Sequence, residues 1–376
     1  MRILYDYQIF RSQKFGGISR YIYELIVRLS PSHRVKVPVI GSMNYYLAQY
    51  TGKKTKGISF NHSWDKVFEG LNRIYTIFIL LVWRPDIVHI TYYNPYILPW
   101  LPKKTKLIVT AHDTIHERYA DAVSADDKTS MNKRIVCKAA DKIIAVSENT
   151  KKDFIDEFGI PAEKIEVIYL GNPFEGAKAI KPLRQGLDTK TQAFPESYIL
   201  FVGQRDWYKN FLCCLQAIAS FMKDNTIHLV CVGGPVFSAE EKESFIRLEV
   251  SSYLHYVQTN DDLLKSLYAN ALLFIYPSLY EGFGIPILEA WAMDCPVVLQ
   301  DNPCFREIAG DGALFFDSTV PATITDAVKM ITTSKAVKDK VVSAGKRALS
   351  KYSFSKTAEA TEKVYKNMVY GNEKDA

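Results

Sequence analysis

The sequence has few of the features that mark several protein classes. Its 6 cysteines lie at positions 137, 213, 214, 231, 295 and 304 of 376 residues, and none forms a C-x-x-C pair. That excludes a zinc ribbon or finger, and cysteines inside apolar runs such as HLVCVGG read as buried, reduced thiols. Long apolar runs are also missing. The longest is Ile74–Trp83, about half of the ~20 residues that span a bilayer, so no membrane-crossing helix is predicted. The opening MRILYDYQIF has no apolar run after its first charge and no small-residue cleavage site. It reads as a first strand, not a secretory signal, and predicts a cytoplasmic protein. His112 and His116 stand four apart without the H-E-x-x-H arrangement, so no metal is expected there. No nucleic-acid-binding motif accompanies the basic residues, and nucleic acid is not an expected partner.

What remains is an ordinary globular composition, 48% hydrophobic and 23% charged, in a chain long enough for two domains at roughly 100–200 residues each. Short β-rich runs (MRILYDY, VKVPVI, DIVHIT, KLIVTAHD, KIIAVS, KIEVIYL) alternate with amphipathic stretches. A second set follows (YILFVG, IHLVCVGG, ALLFIYPS, CPVVLQD). Continuous apolar strands separated by helices predict parallel sheets covered on both faces, hence two doubly wound α/β domains. The Gly-, Pro- and polar-rich stretch from Gly171 to Ser197 predicts the boundary. Expected divisions are 1–180, 181–354 and a C-terminal helix in 355–376 that can cross back to the first domain. Residues 1–180 carry 26 Lys/Arg against 18 Asp/Glu, and residues 181–376 carry 21 against 23. The basic first half suits an anionic surface or acceptor as well as a solvated face.

The chemistry concentrates in PSLYEGFGIPILEAWAMDCPVV, residues 277–298. An apolar strand runs into Glu281-Gly282-Phe283-Gly284, and a helix follows from Ile285 with Pro286 in its first turn, where a missing N–H costs nothing. Free backbone N–H groups at a helix N-terminus make a physical site for a diphosphate. Glu281 lies at a strand end, where open α/β sheets bind ligands. Glu289, early in the helix, could bind the two hydroxyls of a ribose or could simply favour the helix dipole.

The pattern E-G-F-G-x-P-x-x-E-A resembles the signature of the large family of retaining glycosyltransferases that contains sucrose synthase-like and bacterial mannosyltransferase enzymes, glycosyltransferase family 4. The resemblance extends through YILFVGQRDWYKNF, where Gly203 ends a strand and Arg205 and Lys209 match the family's diphosphate-binding cations. It includes the Gly16-Gly17 turn of QKFGGISRYIYEL and His112 of AHD, which the family places near the donor phosphate and the reacting sugar. Ser147 and Glu148 of AVSE match a further segment, and Ser147 reads equally as a helix N-cap.

This resemblance implies a GT-B fold, two Rossmann-like domains facing a cleft, with the nucleotide sugar on the second domain and the acceptor on the first. It implies retention of configuration with no metal and no other cofactor. Agreeing with that, the sequence has no D-x-D pair, the pattern by which the other major glycosyltransferase architecture chelates its metal. The implied donor contacts are Gly16, Gly17, Gly203, Arg205, Lys209, Glu281, Gly282, Phe283, Gly284, Ile285 and Glu289, with His112, Glu281, Arg205 and Lys209 catalytic. Both cations are expected to stand exposed in the cleft. The O-antigen and capsule texture implies a hexose from GDP-mannose, with a UDP-sugar as the alternative and a non-catalytic nucleotide-sugar-binding protein as the rival. The acceptor is then a glycan or a lipid-linked sugar. Peripheral contact with the inner membrane face would use the basic half, the aromatics Tyr92, Tyr93 and Tyr96, and Trp100, and the same aromatics read alternatively as cleft lining or core.

Overall fold

A computed structural model of the protein describes residues 1–52, 62–122, 127–176, 194–205 and 207–371. These residues fall into two compact units, Met1–Gly171 with Phe354–Ala376, and Asn172–Ser353. The expected boundary after residue 180 lies outside the described residues. Residues 172–176 group with the second unit for a visible reason: Asn172 N–H donates to Tyr352 O (3.3 Å) and the buried Phe174 ring meets Tyr268.

The first unit holds β1 (Arg2–Tyr5), β2 (Arg34–Lys36), β3 (Ile87–Ile90), β4 (Lys106–Ala111), β5 (Lys142–Ala145) and β6 (Ile165–Val167), all parallel, in the order β2-β1-β3-β4-β5-β6. The second holds β7 (Tyr198–Val202), β8 (His228–Val232), β9 (Leu254–Val257), β10 (Leu273–Tyr276), β11 (Val297–Gln300) and β12 (Leu314–Phe316), also parallel, in the order β12-β11-β10-β7-β8-β9. Both are the sheets expected of the GT-B fold. The inner strands are buried at nearly every residue, because helices cover both faces of such a sheet.

Strand order fixes where ligands can enter. In the first sheet the chain leaves β1 toward β2 on one side and later returns to β3 on the other. In the second the same reversal separates β7 from β10. Connections diverge at such switch points, and a crevice opens beyond the strands' carboxyl ends.

The last helix, Phe354–Tyr370, belongs to the first unit and packs on the helix Gly17–Arg28. A buried hydrogen-bond chain holds it there. Tyr365 Oη meets Tyr5 Oη (2.8 Å) and His89 Nδ1 (2.5 Å); His89 Nε2 meets Thr110 Oγ1 (2.9 Å), which meets Tyr21 Oη (3.1 Å). One side-chain network thus joins β1, β3, β4 and both helices. Burial, helped by the proximity of His112, pushes the His89 pKa down to about 3, so the ring is neutral in the folded protein.

The sign of the linkage follows. Above the ordinary histidine pKa of about 6.5, neither state is charged at this residue. As pH falls from there toward 3, unfolded His89 takes up a proton that the folded protein refuses. Stability should therefore decline across that window, by about 1.4 kcal/mol per pH unit for this proton. Urea unfolding at a series of pH values should show this slope in the parent and a flatter one in His89→Gln, whereas equal slopes would contradict the assignment.

Candidate active site

At the switch point of the second sheet the loops after β7 and β10 meet. Leu279 N–H donates to Tyr208 O (2.9 Å), tying them together. Beyond β10, Gly284 adopts φ +98° as N-cap of the helix Ile285–Ala292, with Pro286 in its first turn. A side chain at Gly284 would be strained in that conformation and would also press on Ile287 and Phe305. Gly282 and Phe283 are buried just ahead of it. The helix is held from behind by Trp291, whose ring is buried and whose Nε1 donates to Gly312 O (2.9 Å). Gly345 admits that indole, since a Cβ there would come within 2.4 Å of it.

The sequence-predicted cations lie in this crevice with partners already engaged. Lys209, in the turn Trp207–Lys209, is buried; its ammonium contacts the Glu281 carboxylate, approaches Tyr276 Oη (3.4 Å), and stands over the Tyr208 and Tyr276 rings. The carboxylate side of this pair also acts on Tyr276, whose hydroxyl is pushed well above its ordinary range by burial and then by Glu281.

Arg205 differs from expectation. Its side chain is 3% exposed. The guanidinium donates to Glu241 Oε1 (2.6 Å), Gly233 O (3.2 Å) and Pro235 O (2.5 Å), and stacks over Phe237. Glu241 is itself committed: its carboxylate accepts from Ser238 N–H in the capping box of the helix Ala239–Arg247. Arg205 therefore clamps the loop after β8 onto the loop after β7. Gly233 (φ +88°) and Gly234 (φ +68°) allow that close approach, with added Cβ atoms about 3.3 Å from Gly203 O and 3.2 Å from Gln204 Cα. Neither cation is the exposed side chain that the sequence suggested. The guanidinium finds acceptors in the loop after β8 and in the helix that follows it, and the lysine finds a carboxylate across the β7/β10 boundary. Glu289 is also buried, with Tyr268 Oη donating to its Oε2 (3.1 Å).

The remaining predicted residues belong to the first unit. Gly16 is the extended N-cap of the helix Gly17–Arg28, where a Cβ would collide with the Gln13 side chain; Gln13 Oε1 accepts from Ser19 N–H (3.1 Å). Arg20 is buried in the same helix beside Glu24. His112 follows β4, half-buried, its ring edge-on to Tyr21 at 5.6 Å. Burial brings its pKa down to about 4; Asp113 opposes this and Lys133 reinforces it, so the ring is neutral at pH 7. Lys133 is completely buried, bonded to Asp113 O (2.8 Å) and Glu117 Oε2 (2.9 Å), and so holds the loop that carries His112. Ser147 is the N-cap of the helix Glu148–Phe158, accepting from Thr150 N–H.

Sequence reasoning missed the switch point of the first sheet. Asp6, fully buried after β1, accepts from Thr91 N–H (2.9 Å), Thr91 Oγ1 (2.7 Å), Gln8 Nε2 (2.6 Å) and Tyr96 Oη (3.2 Å). Burial raises its pKa, and these hydrogen bonds oppose the rise. Gln8 is paired with the Asn94 backbone in both directions (2.7 and 3.1 Å). Together they stitch the carboxyl ends of β1 and β3, and beside them lies a pocket of about 360 Å³ lined by Tyr7, Gln8, Arg11, Ser12, Glu69, Tyr92 and Asn94. The available signal was an acidic residue directly after an apolar first strand.

Comparison with known proteins finds two family models along the chain. Residues 15–172 match the model "Glycosyltransferase Family 4" and residues 188–348 match "Glycosyl transferases group 1". The chain is 27% identical over 237 residues to the O-antigen chain mannosyltransferase RfbU of Salmonella typhimurium, covering 62% of each chain. It is 26% identical over 327 residues to O-antigen chain mannosyltransferase B of Escherichia coli, covering 80% of this chain and 83% of that one. Its fold is similar to that of Anabaena Alr3699/HepE, solved with UDP and glucose, at a TM-score of 0.73 and 15% identity over 96% of this chain and 98% of that one. The two models between them account for most of the sequence, and the chain belongs to the glycosyltransferases, with a family 4 domain in its first half and a group 1 domain in its second.

Proposed function

We propose that the chain transfers a hexose from a nucleotide-diphosphate sugar to a glycan or lipid-linked sugar, with retention of configuration, in surface polysaccharide assembly. One observation carries this reading: the E-G-F-G loop and its helix N-terminus lie at the β7/β10 switch point, with Lys209 against Glu281. Mannose from GDP-mannose is the leading donor, supported by the O-antigen mannosyltransferase relatives. A UDP-sugar is the second reading, supported by the UDP and glucose in the Anabaena structure.

In this reading the diphosphate lies against the backbone N–H groups that open the helix Ile285–Ala292, where dipole and free donors favour an anion. Lys209 supplies the fixed positive charge for the leaving phosphate. Glu281 then exchanges its lysine contact for hydroxyls of the donor sugar. The departing phosphate oxygen takes the acceptor's proton on the face where the new bond forms, so no protein nucleophile is required. Arg205 acts indirectly, by holding the loop that carries Gly233 and Gly234. The acceptor sugar occupies the pocket beside Asp6, where Tyr7 and Tyr92 offer ring faces and Arg11, Glu69 and Asn94 offer hydrogen bonds. His112, neutral, serves as a hydrogen-bond partner rather than a cation.

Single-residue variants and a chelator test this account. Lys209→Ala should lower turnover by about 10²–10³, the scale for removing one preorganised charge-stabilising donor. Arg205→Ala should lose activity together with stability, because it strands a largely enclosed Glu241; a thermal melt of both variants separates them, and an unchanged melt for Arg205→Ala would contradict the clamp. A charged hydrogen bond is worth about 1.5–3 kcal/mol, so Glu289→Ala should bind free GDP or UDP roughly ten- to a hundredfold more weakly. Glu281→Ala should keep nucleotide affinity and lose transfer, and calorimetry with the bare nucleotide beside a transfer assay reads both. Equal loss of affinity in the two glutamate variants would refute this division of roles. Excess chelator should leave transfer largely intact, since Lys209 and the helix N-terminus do a metal's work; abolition by chelator and rescue by manganese would overturn that.

A further inference from the structure

The helix His62–Trp83 packs one side against the first sheet's core through Leu80, and Asn72 and Thr76 are buried beside it. Its opposite side is apolar and uncovered. Val67, Leu71, Ile74, Phe78, Leu81 and Val82 are all exposed, Ile74 and Val82 at 68% and Phe78 at 58%. Their spacing keeps them on one stripe of about 120° at 3.6 residues per turn. A surface helix of a soluble domain ordinarily turns charged residues outward, so this face runs opposite to the rule.

Its surroundings are cationic. Lys66, in the first turns of the helix, and Arg84, directly after its last residue, are both exposed. Glu69, an acidic residue of this helix, is paired with Arg73. The short helix Pro95–Trp100 packs beside it, carrying exposed Trp100 and leading to exposed Lys103 and Lys104.

We infer that this helix lies flat in the surface of an anionic bilayer, its apolar stripe among the acyl chains and its basic edge at the headgroups. The inference deepens the reading of a lipid-linked acceptor and rests on it for its purpose. Among the described residues no helix is long and apolar enough to cross a membrane, so the contact is in-plane. Charge selects the lipid surface over a second copy of the chain, because a two-fold contact would bring two basic edges together. The aromatics expected to make this contact mostly do other work. Tyr93 is buried in the core and Tyr96 is bonded to Asp6; of the named aromatics Trp100 is the exposed one, at 49%. The same helix contributes Glu69 to the pocket beside Asp6. A sugar held at the bilayer by its lipid would therefore meet that pocket beside the docked helix.

Cosedimentation of the full chain with vesicles tests this without donor or acceptor. Binding to vesicles of phosphatidylglycerol with phosphatidylcholine should be at least about tenfold tighter than to phosphatidylcholine alone, and should weaken with salt. Ile74→Asp with Phe78→Asp should abolish it, the milder Phe78→Gln should weaken it, and Lys103→Gln with Lys104→Gln should reduce the preference for anionic lipid. All should bind nucleoside diphosphate like the parent. Unaltered vesicle binding in the Ile74/Phe78 variant, absence of binding by the parent, or a parent dimer that these variants turn into monomers would overturn the inference. Failure of vesicle binding alongside intact nucleotide binding would count against the docking face alone, whereas loss of nucleotide binding in the parent would count against the transferase reading.

Discussion

A parallel sheet opens at its carboxyl edge where two neighbouring strands send their chains to opposite sides, and the proposed donor and acceptor sites both depend on that constraint. Each sheet has one such place among the described residues, between β1 and β3 and between β7 and β10. Each is stitched by side chains from loops far apart in sequence. In the first, the Asp6 carboxylate gathers donors from Thr91 and Tyr96. In the second, Lys209 reaches Glu281 and Arg205 reaches Glu241. Burying these charges is tolerable because each has a partner or several donors.

At the second switch point each cation is paired with a carboxylate of the protein itself. Two cations face two carboxylates, and both guanidinium and ammonium are largely shielded from solvent. A diphosphate arriving there would compete with Glu281 for Lys209, while Arg205 would keep its loop in place. The helix N-terminus opened by Gly284 would add its dipole to the attraction for an anion. This division between a charge that can change partners and a charge that cannot is a consequence of geometry, since Arg205 has acceptors on several sides and Lys209 has one carboxylate.

The sequence made the fold class and the E-G-F-G loop readable, because strand periodicity and a glycine turn before a helix are local signals. It also singled out Lys209 and Glu281, which the fold brings into contact. It did not make Arg205's role readable: Gly233, Pro235 and Glu241 lie some thirty residues on and come together through β8. Asp6 was invisible for the same reason, its donors being 85 and 90 residues away. The run Ile74–Trp83 reads in sequence only as too short to span a bilayer, and its placement in the fold leaves one face uncovered. In the Tyr92–Tyr96 segment the opposite happened, and aromatics that could have faced a membrane are drawn into core and polar contacts.

The central claim is that a nucleotide diphosphate binds at the carboxyl ends of β7 and β10. Hydrogen–deuterium exchange of the full chain, with and without GDP or UDP, measures this most directly, because the proposed contacts are backbone N–H groups. The account predicts slowed exchange in the segment from Gly282 to Leu288 and in the loop around Gly203 to Lys209. Protection confined to the segments after β1 and β3, with no change after β7 and β10, would contradict it.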